Sequence, residues 1–263
     1  MSLQVHLAAP AEFWLFGYGS LIWKPPPHFD QRIPGWVTGY VRRFWQASED
    51  HRGTPKAPGR VVTLIERSYW EQLTDHHGSA PERVWGVAYR IRPDRVDEVK
   101  DYLDIREING YTIHYTPFHP APDAHLPQRS PIQALVYIGT PDNEQFVGPQ
   151  DPQQLAEHIY HSHGPSGPNQ EYLLGLEKAL NELSLESGDE HVTDLSNRLR
   201  AFMSVQEEKR DGSPSRTDSQ ILRSPHPVNV SPDLEPRPGF QSHHHDFKRA
   251  SSVDEQEEIE KTS

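Results

Sequence analysis

The order of two hydrophobic patterns constrains the fold of this chain most strongly. Residues 11–140 carry short apolar runs that are separated by Pro, Gly and Asp, a pattern typical of strands and tight connections. From Asp151 onward the apolar residues recur at helical spacing. Strands followed by helices favour an α+β domain, in which the sheet can curl into a small barrel.

Apolar runs predict the strands. Six are expected, at residues 13–16, 36–45, 60–65, 84–91, 111–118 and 132–139. In the fifth run Tyr111, Ile113 and Tyr115 alternate with threonine and histidine, which is the period-2 pattern of a half-buried strand.

Helical spacing predicts four helices. The first covers 93–108, lies between the fourth and fifth strands, and carries Val96, Val99 and Leu103 on one face. The second begins with Asp151 and Pro152 as N-cap and first residue and ends at Gly164. The apolar faces of the last three are Leu155 and Ile159; Leu173, Leu176, Leu180 and Leu183; and Val192, Leu195, Leu199 and Phe202.

Composition changes after Met203, where the chain becomes polar and rich in Ser-Pro steps, histidine and acidic residues. Such a segment buries too little apolar area to offset the entropy lost on ordering. The predicted organisation is a flexible N-terminus at 1–10, a folded domain at 11–203 and a disordered tail at 204–263.

Charge and cysteine content exclude several classes of function. With 38 acidic and 26 basic side chains the formal net charge is -12, which disfavours nucleic acids and anionic membranes as partners. The absence of cysteine removes disulfides, thiolate nucleophiles and cysteine metal sites. No apolar stretch approaches the ~20 residues of a membrane span. We therefore expect a soluble cytoplasmic protein.

The first candidate motif is a strand that runs into a turn with two glycines, Leu15-Phe16-Gly17-Tyr18-Gly19-Ser20. Missing side chains let backbone N–H groups approach an anion such as a carboxylate. A plain strand-ending turn is the alternative. The dinucleotide-binding and serine-hydrolase patterns both fail, because each requires glycine where Ile22 stands.

The second candidate motif is the polar stretch from Arg42 to Gly53. Arginines such as Arg43 can clamp a substrate carboxylate with two hydrogen bonds. Gln46, Ser48 and Asp50 can fix a peptide backbone. A surface ion-pair network would use the same residue types, and the sequence leaves both readings open.

The third candidate is Glu107, at the end of the first helix. At 100° per residue it falls about 40° from Leu103 and about 20° from Val96, in the centre of the apolar stripe. A carboxylate there points inward, and desolvation raises its pKa toward the range of a group that both takes and gives protons. Pairing with a core arginine is the alternative.

Histidines near the end of the second helix suggest a metal site at first sight. Only His158 and His161 are neighbours on a helical face, His163 is not, and no acidic pair completes a ligand set. No metal is expected. The following loop, residues 164–167, is either structural or part of a pocket rim.

Six stretches of the chain match one known family when they are taken together. They are FGYGSLIWKPP, RRFWQASEDHRGTPKAPGRVVTLI, VWGVAYRI, YLDIREINGYT, VYIGTPDNEQFVGP and SHGPSGPNQEYL, and they span about residues 13–175. They resemble the ChaC-like, glutathione-specific γ-glutamylcyclotransferases in their fungal form. The YGSL turn alone indicates only the wider cyclotransferase superfamily, whereas the RRFWQ…DHRG block resembles the glutathione-specific branch.

The resemblance implies a small mixed β-barrel flanked by helices, no metal or organic cofactor, and catalysis by Glu107. It also implies that residues 15–20 hold the γ-glutamyl head group. The implied reaction is a carbon–nitrogen lyase reaction that turns glutathione into 5-oxoproline and cysteinylglycine. The expected substrate-binding residues are Leu15, Phe16, Gly17, Tyr18, Gly19, Ser20, Arg43, Gln46, Ser48, Asp50 and Tyr137.

Two departures from the family pattern leave alternatives open. Residues 66–82 make a longer connection than compact members have, and the tail after 203 has no counterpart in them. The same chemistry could act on other γ-glutamyl amines or peptides. A non-catalytic module that recruits partners through the tail is the alternative from a different class of function.

Overall fold

The computed structural model describes residues 12–106, 111–122, 124 and 130–211. Five strands form a closed barrel in the order β1-β5-β2-β6-β7, and β3 and β4 pair as a separate antiparallel ribbon. The barrel closes where β1 and β7 run parallel at Leu15 and Leu135. The strands are β1 (Phe13–Gly17), β2 (Phe29–Thr38), β3 (Tyr40–Ser48), β4 (Gly59–Glu66), β5 (Arg83–Ile91), β6 (Tyr111–Pro120), β7 (Ile132–Gly139), β8 (His163–Gly164) and β9 (Gly167–Pro168).

The helices follow the order that the sequence predicts, with one short addition. They are α1 (Arg67–Trp70), α2 (Val96–Arg106), α3 (Pro152–His161), α4 (Asn169–Leu183) and α5 (Glu190–Asp211), with 3₁₀ turns at Ser20–Ile22 and Pro93–Arg95. By their internal contacts the residues group into two units, Met1–Glu207 and Glu208–Ser263. The predicted start of the tail at residue 204 falls inside α5, and residues 1–11 and 212–263 lie outside the described ranges.

The predicted strand at 36–45 is wrong, because the structure has two strands there. The backbone reverses at Gly39, whose φ of 83° is a conformation that glycine adopts without a steric penalty. β2 also begins well before the predicted apolar run. Its polar start still pairs with β5, as at Gln31 and Arg90, and backbone pairing of this kind leaves no hydrophobic signal.

β6 is a strand as predicted, but its apolar alternation does not mark its buried face. Ile113 and Tyr115 are 50% and 61% exposed, while Thr116 and Phe118 are buried. Phe118 is buried because it faces the barrel interior, where its ring lies 5.6 Å from that of Phe16. A one-residue change of parity moves every side chain of a strand to the opposite face.

The helical predictions for α2 and α3 hold in their main features. Val99 and Leu103 of α2 are fully buried, and Val96 packs against the same core. Asp151 caps α3, since its Oδ1 accepts a hydrogen bond of 2.9 Å from the N–H of Gln154. α3 ends at His161 rather than at Gly164.

The stripes of α4 and α5 complete the core. Buried positions on these two helices are Leu173, Leu176, Leu180, Val192, Leu195 and Leu199. Among helices in the described ranges, none is long and apolar enough to cross a lipid bilayer.

Candidate active site

The two-glycine motif forms a tight turn at the end of β1. Gly17 is the last residue of the strand, and the N–H groups of Trp23 and Lys24 both donate to the Ser20 carbonyl, at 3.1 and 2.8 Å. We call residues 17–20 the glycine cradle. The Tyr18 hydroxyl donates to the Tyr137 carbonyl at 2.9 Å, so the structure brings these two predicted residues together.

Gly19 is held between two side chains from distant parts of the chain. A Cβ built on Gly19 would lie 2.9 Å from the Tyr172 Oη and 3.1 Å from Val62 Cγ2. The hydroxyl of Tyr172 therefore lies directly against the cradle. Tyr172 is missing from the predicted site for two reasons. It is far from the cradle in sequence, and it lies in α4, whose regularly spaced leucines indicate only a core-facing helix. The matching stretch SHGPSGPNQEYL, which contains it, was the only available signal.

Aromatic and cationic groups surround Tyr172. The rings of Phe44 and Trp23 meet it edge-on, with centroids 5.8 and 5.6 Å away. The Arg52 guanidinium lies 5.9 Å from the ring centroid, and its Nη1 donates to the Pro168 carbonyl at 3.0 Å. Burial lowers the pKa of Arg52, an effect that Tyr172 opposes. Arg52, rather than Arg43, lies against the ring of Tyr172.

Arg43 is fully engaged elsewhere. Its Nε donates to Asp75 Oδ2 at 2.6 Å, and its Nη2 donates to the carbonyls of His77 and Ser79 at 3.2 and 3.1 Å. Its guanidinium lies 5.4 Å from the Trp70 ring centroid. These partners all belong to the connection 66–82, so Arg43 anchors that connection from inside the protein. A substrate role for Arg43 stays a prediction.

Arg42 is buried as well, and pairs with the start of α5. Its Nη1 donates to Asp189 Oδ2 at 3.2 Å, and its Nη2 donates to the Trp85 carbonyl. Burial lowers the pKa of this guanidinium, and Asp189 partly offsets that effect. The two adjacent arginines thus form a buried network of ion pairs, where the sequence suggested a surface network or a substrate clamp.

Gln46 carries a buried acceptor that lacks a partner. Its side chain is 0% exposed, and within the described part of the chain its Oε1 accepts no hydrogen bond. Its Nε2 makes only a long contact of 3.4 Å with Gln145 Oε1. Leaving a buried acceptor unpaired costs about 1–3 kcal/mol, a cost that a ligand N–H would remove.

The remaining predicted residues have more local roles. Ser48 Oγ accepts from the Arg52 N–H at 3.0 Å and so shapes the turn that carries Arg52. Asp50 Oδ2 lies 3.9 Å from His51 Nε2. Leu15 and Phe16 are buried in β1, where they fix the position of the cradle.

Glu107 lies outside the described residues. The helix that leads to it is described as far as Arg106, and Leu103, four residues earlier, is fully buried. Its assignment as the proton shuttle stays a prediction from the sequence.

The histidines of α3 hold the fold together. His158 Nε2 lies 2.7 Å from the Pro58 carbonyl, and partial burial lowers the pKa of this imidazole. Across the described ranges no three His, Asp or Glu side chains are grouped as metal ligands. The loop at 164–167 packs on the turn that carries Arg52, since the Ser166 N–H donates to the His51 carbonyl at 2.9 Å.

Comparisons with known proteins agree on one family. The family model described as ChaC-like protein matches residues 13–202. The glutathione-specific gamma-glutamylcyclotransferase of Schizosaccharomyces pombe is 46% identical over 200 residues, covering 75% of this chain and 97% of the relative. The Saccharomyces cerevisiae protein of the same name is 41% identical over 210 residues, covering 69% and 90%.

Human and structural relatives give the same result. The human glutathione-specific gamma-glutamylcyclotransferase 1 is 40% identical over 187 residues, covering 70% of this chain and 76% of the relative. A crystal structure of a gamma-glutamyl cyclotransferase specific to glutathione from yeast is 38% identical, covers 73% of this chain and 97% of that chain, and superposes with a TM-score of 0.66. The chain belongs to the ChaC-like family.

Proposed function

We propose that this protein is a glutathione-specific γ-glutamylcyclotransferase, which converts glutathione into 5-oxoproline and cysteinylglycine. The observation that carries this function is the match to relatives of that name over nearly their whole length, 97% and 90% for the two yeasts. The glycine cradle, which has the Tyr172 hydroxyl against it, is the proposed contact for the head group of such a substrate.

The reaction needs no nucleophile from the protein. The α-amine nitrogen of the γ-glutamyl unit attacks its own γ-amide carbonyl, a C–N bond closes the five-membered ring, and the C–N bond to cysteine breaks. The attacking nitrogen loses two protons as it changes from ammonium to lactam N–H; one goes to the departing nitrogen, and the other goes to the same nitrogen or to solvent, so no water is consumed. The absence of cysteine is therefore compatible with catalysis.

Positioning is the largest contribution that the protein can make. Holding an attacking group against its carbonyl supplies roughly 7–11 kcal/mol through effective molarity. We assign this task to the cradle, where the amides of Gly19 and Ser20 hold the α-carboxylate or the oxyanion. The close packing of Tyr172 and Val62 on Gly19 supports this assignment, because it fixes the backbone in one conformation.

Gln46 is the proposed contact to the peptide part of glutathione. Its unpaired, buried Oε1 can accept an N–H of the cysteinylglycine portion. A substrate amide bound there would satisfy an acceptor that has no partner among the residues that the structure describes. The gain in free energy favours peptides that carry an N–H at that point.

Glu107 is the proposed proton shuttle. It follows directly on α2, whose apolar face is buried at Val99 and Leu103. Burial near that face would raise the pKa of the carboxylate, so that it can both accept the ammonium proton and protonate the leaving amine. One group in both roles suffices, because the two transfers occur in sequence.

The proposed setting is the cytoplasm, without a nucleic-acid or membrane partner. The formal charge of -12 repels polyanions, and the described ranges hold no helix suited to span a membrane. Partners of residues 212–263 are not part of the proposal.

The direct test is incubation of the full chain with glutathione and mass detection of both products. A parallel reaction with γ-glutamyl-alanine tests specificity. We expect 5-oxoproline and cysteinylglycine in equal amounts from glutathione, and at least about tenfold less product from γ-glutamyl-alanine, a difference of about 1.4 kcal/mol. Equal turnover of both would replace glutathione specificity with a broader γ-glutamyl specificity, and no turnover of either would favour a binding module.

A further inference from the structure

Two histidines outside the cradle make a chain of hydrogen bonds with only one consistent proton arrangement. The Phe44 N–H donates to His191 Nε2 at 3.1 Å, so this nitrogen carries no proton. The proton of His191 is therefore on Nδ1, which lies 3.1 Å from His77 Nδ1. His77 must accept there and carry its own proton on Nε2, which lies 2.8 Å from Asp194 Oδ2. Both imidazoles are neutral in this arrangement.

The chain of hydrogen bonds runs from Asp194 of α5 through the connection 66–82. His77 belongs to that connection, which Arg43 holds through Asp75 and through the carbonyls of His77 and Ser79. The other end of the chain is the backbone of β3 at Phe44. The connection is thus joined to β3 by the buried Arg43 ion pair and by the two histidines.

Phe44 lies in a β-bulge that faces the cradle. The pairing of β3 with β4 passes from Arg43 opposite Thr63 to Gln46 opposite Val61, so Phe44 and Trp45 together oppose Val62. A bulge of this kind re-aims the side chains that follow it and leaves one N–H outside the ladder. His191 accepts the N–H of Phe44 and so completes the hydrogen bonding of the bulge.

The bulge touches both walls of Gly19. Val62, which opposes it, supplies one of the two atoms nearest to Gly19, and Tyr172, which packs edge-on against Phe44, supplies the other. The bulge also sets the direction of Gln46. A shift of Phe44 is therefore transmitted to the cradle through packed side chains.

We infer that His77 is a positioning residue: in its neutral form it holds the β3 bulge through His191, and its protonation releases the bulge and loosens the glycine cradle. This inference rests on the proposed function. Protonated His77 would present an N–H to the Nδ1–H of His191. His191 cannot change tautomer in response, because its Nε2 is held by Phe44.

Burial and the neighbouring cations keep His191 neutral. His191 is buried, and burial, followed by Arg43, His77 and Arg42, holds the pKa of its imidazole well below 6.5. His77 instead faces the carboxylate of Asp194, which Arg198 Nε also contacts at 2.8 Å. Charged groups that face the histidine pair are Arg42 and Arg43 from β3, Asp75 from the connection, and Asp189, Glu190, Asp194 and Arg198 from α5 and its start.

The test is the pH profile of glutathione turnover between pH 8 and pH 5.5 for the full chain and three variants. His77→Asn keeps an acceptor near the position of Nδ1 but does not titrate. His77→Ala removes the acceptor. His76→Asn is the matched control, because His76 is the exposed neighbour on the same connection.

We expect the kcat/KM of His77→Asn at pH 8 to lie within about threefold of the wild-type value. The fraction of kcat/KM that remains at pH 5.5 should be at least about threefold larger for His77→Asn than for the wild type. His77→Ala should raise KM at every pH, by about fivefold or more, because the cradle is loosened. His76→Asn should follow the wild-type curve. Superimposable profiles for His77→Asn and the wild type would overturn the inference.

A fourth variant keeps the inference testable if His77→Asn does not fold. Asp194→Asn removes the carboxylate that stabilises protonated His77, so the acidic loss of activity should move to lower pH. An unchanged pH profile, or a shift of the loss to higher pH, would contradict the inferred role of His77. A wild-type protein that forms no 5-oxoproline at any pH would instead contradict the proposed function, so the two failures are distinguishable.

Discussion

The backbone of Gly19 lies against two side chains from distant parts of the chain, Val62 and Tyr172. At 2.9 Å from the Tyr172 Oη and 3.1 Å from Val62 Cγ2, an added methyl group is closer than ordinary van der Waals contact allows. The cradle or the side chains of Tyr172 and Val62 must shift to admit it. The cradle can therefore keep this geometry only because Gly19 has no side chain.

Gly19→Ala should lower kcat/KM for glutathione by about tenfold or more, because a displacement of ~1 Å at a binding site is enough for such a loss. Steady-state kinetics with glutathione measures it. Gly78→Ala is the control, since a Cβ at Gly78 meets no atom within 4 Å. Equal kinetics for the two variants would show that the close packing at Gly19 is unimportant for turnover.

The sequence predicted some site residues and missed others for a physical reason. The turn of the cradle was predicted because two glycines after an apolar strand are a local signal, and Gln46 was a candidate because it lies in a dense polar stretch; their roles in binding stay predictions. Tyr172 and Arg52 approach each other only through tertiary packing, which no local spacing shows. Arg43 was predicted as a clamp, since residue type alone does not show that Asp75 would pair with it.

The connection 66–82 depends on one buried ion pair. Arg43 and Asp75 have side chains that are 1% and 5% exposed, and Asp75 also accepts from Trp70 Nε1 at 2.8 Å. Removing one partner leaves a buried charge without compensation, which costs about 3–5 kcal/mol. Replacing both by apolar groups avoids that cost.

Asp75→Ala should therefore lower the free energy of unfolding by about 3–5 kcal/mol, whereas the double variant Arg43→Met with Asp75→Leu should recover most of it. Urea unfolding measures both. If the double variant is as unstable as the single one, the unpaired charge is not the cause. A raised KM for glutathione in a stable double variant would support the predicted substrate role of Arg43.

α5 makes stability depend on pH through His191. Burial lowers the pKa of this imidazole well below 6.5, so below pH 6.5 the unfolded chain binds more protons than the folded one. The free energy of unfolding should thus fall as the pH falls from 6.5 toward the folded pKa, by up to about 1.4 kcal/mol per pH unit.

Urea unfolding at pH 7.5 and pH 5.0 measures this dependence, with His191→Gln as the comparison. Glutamine accepts the Phe44 N–H without titrating, so the variant should lose less stability on acidification than the wild type. The same loss in both proteins would assign the pH dependence to other groups, such as His158, whose pKa burial also lowers.

The family match and the described core end close together in the sequence. The match ends at residue 202 and α5 at Asp211. A chain that ends at Asp211 should keep the Tm of the full chain within about 2 °C and its kcat/KM within about twofold, because a domain keeps its own core. Thermal unfolding and glutathione turnover measure this. A large loss of activity would show that residues 212–263 serve catalysis.

The overall architecture was predictable because it depends on patterns that repeat. Strands before helices indicated an α+β domain, and the barrel of β1-β5-β2-β6-β7 confirms it. The break at Gly39 was missed, because one residue in a left-handed conformation carries no periodic signal. The exposed face of β6 was missed because strand pairing, rather than alternation, decides which parity faces the barrel.

The proposed proton transfers depend on the carboxylate of Glu107, which Glu107→Gln removes. Glutamine keeps the shape of the side chain but cannot accept or return a proton. Asp101→Asn, an exposed change on α2, is the matched control. We expect 5-oxoproline formation from glutathione to fall by about 10²-fold or more in Glu107→Gln and to stay near wild type in Asp101→Asn. Near-normal turnover by Glu107→Gln would rule out Glu107 as the proton shuttle.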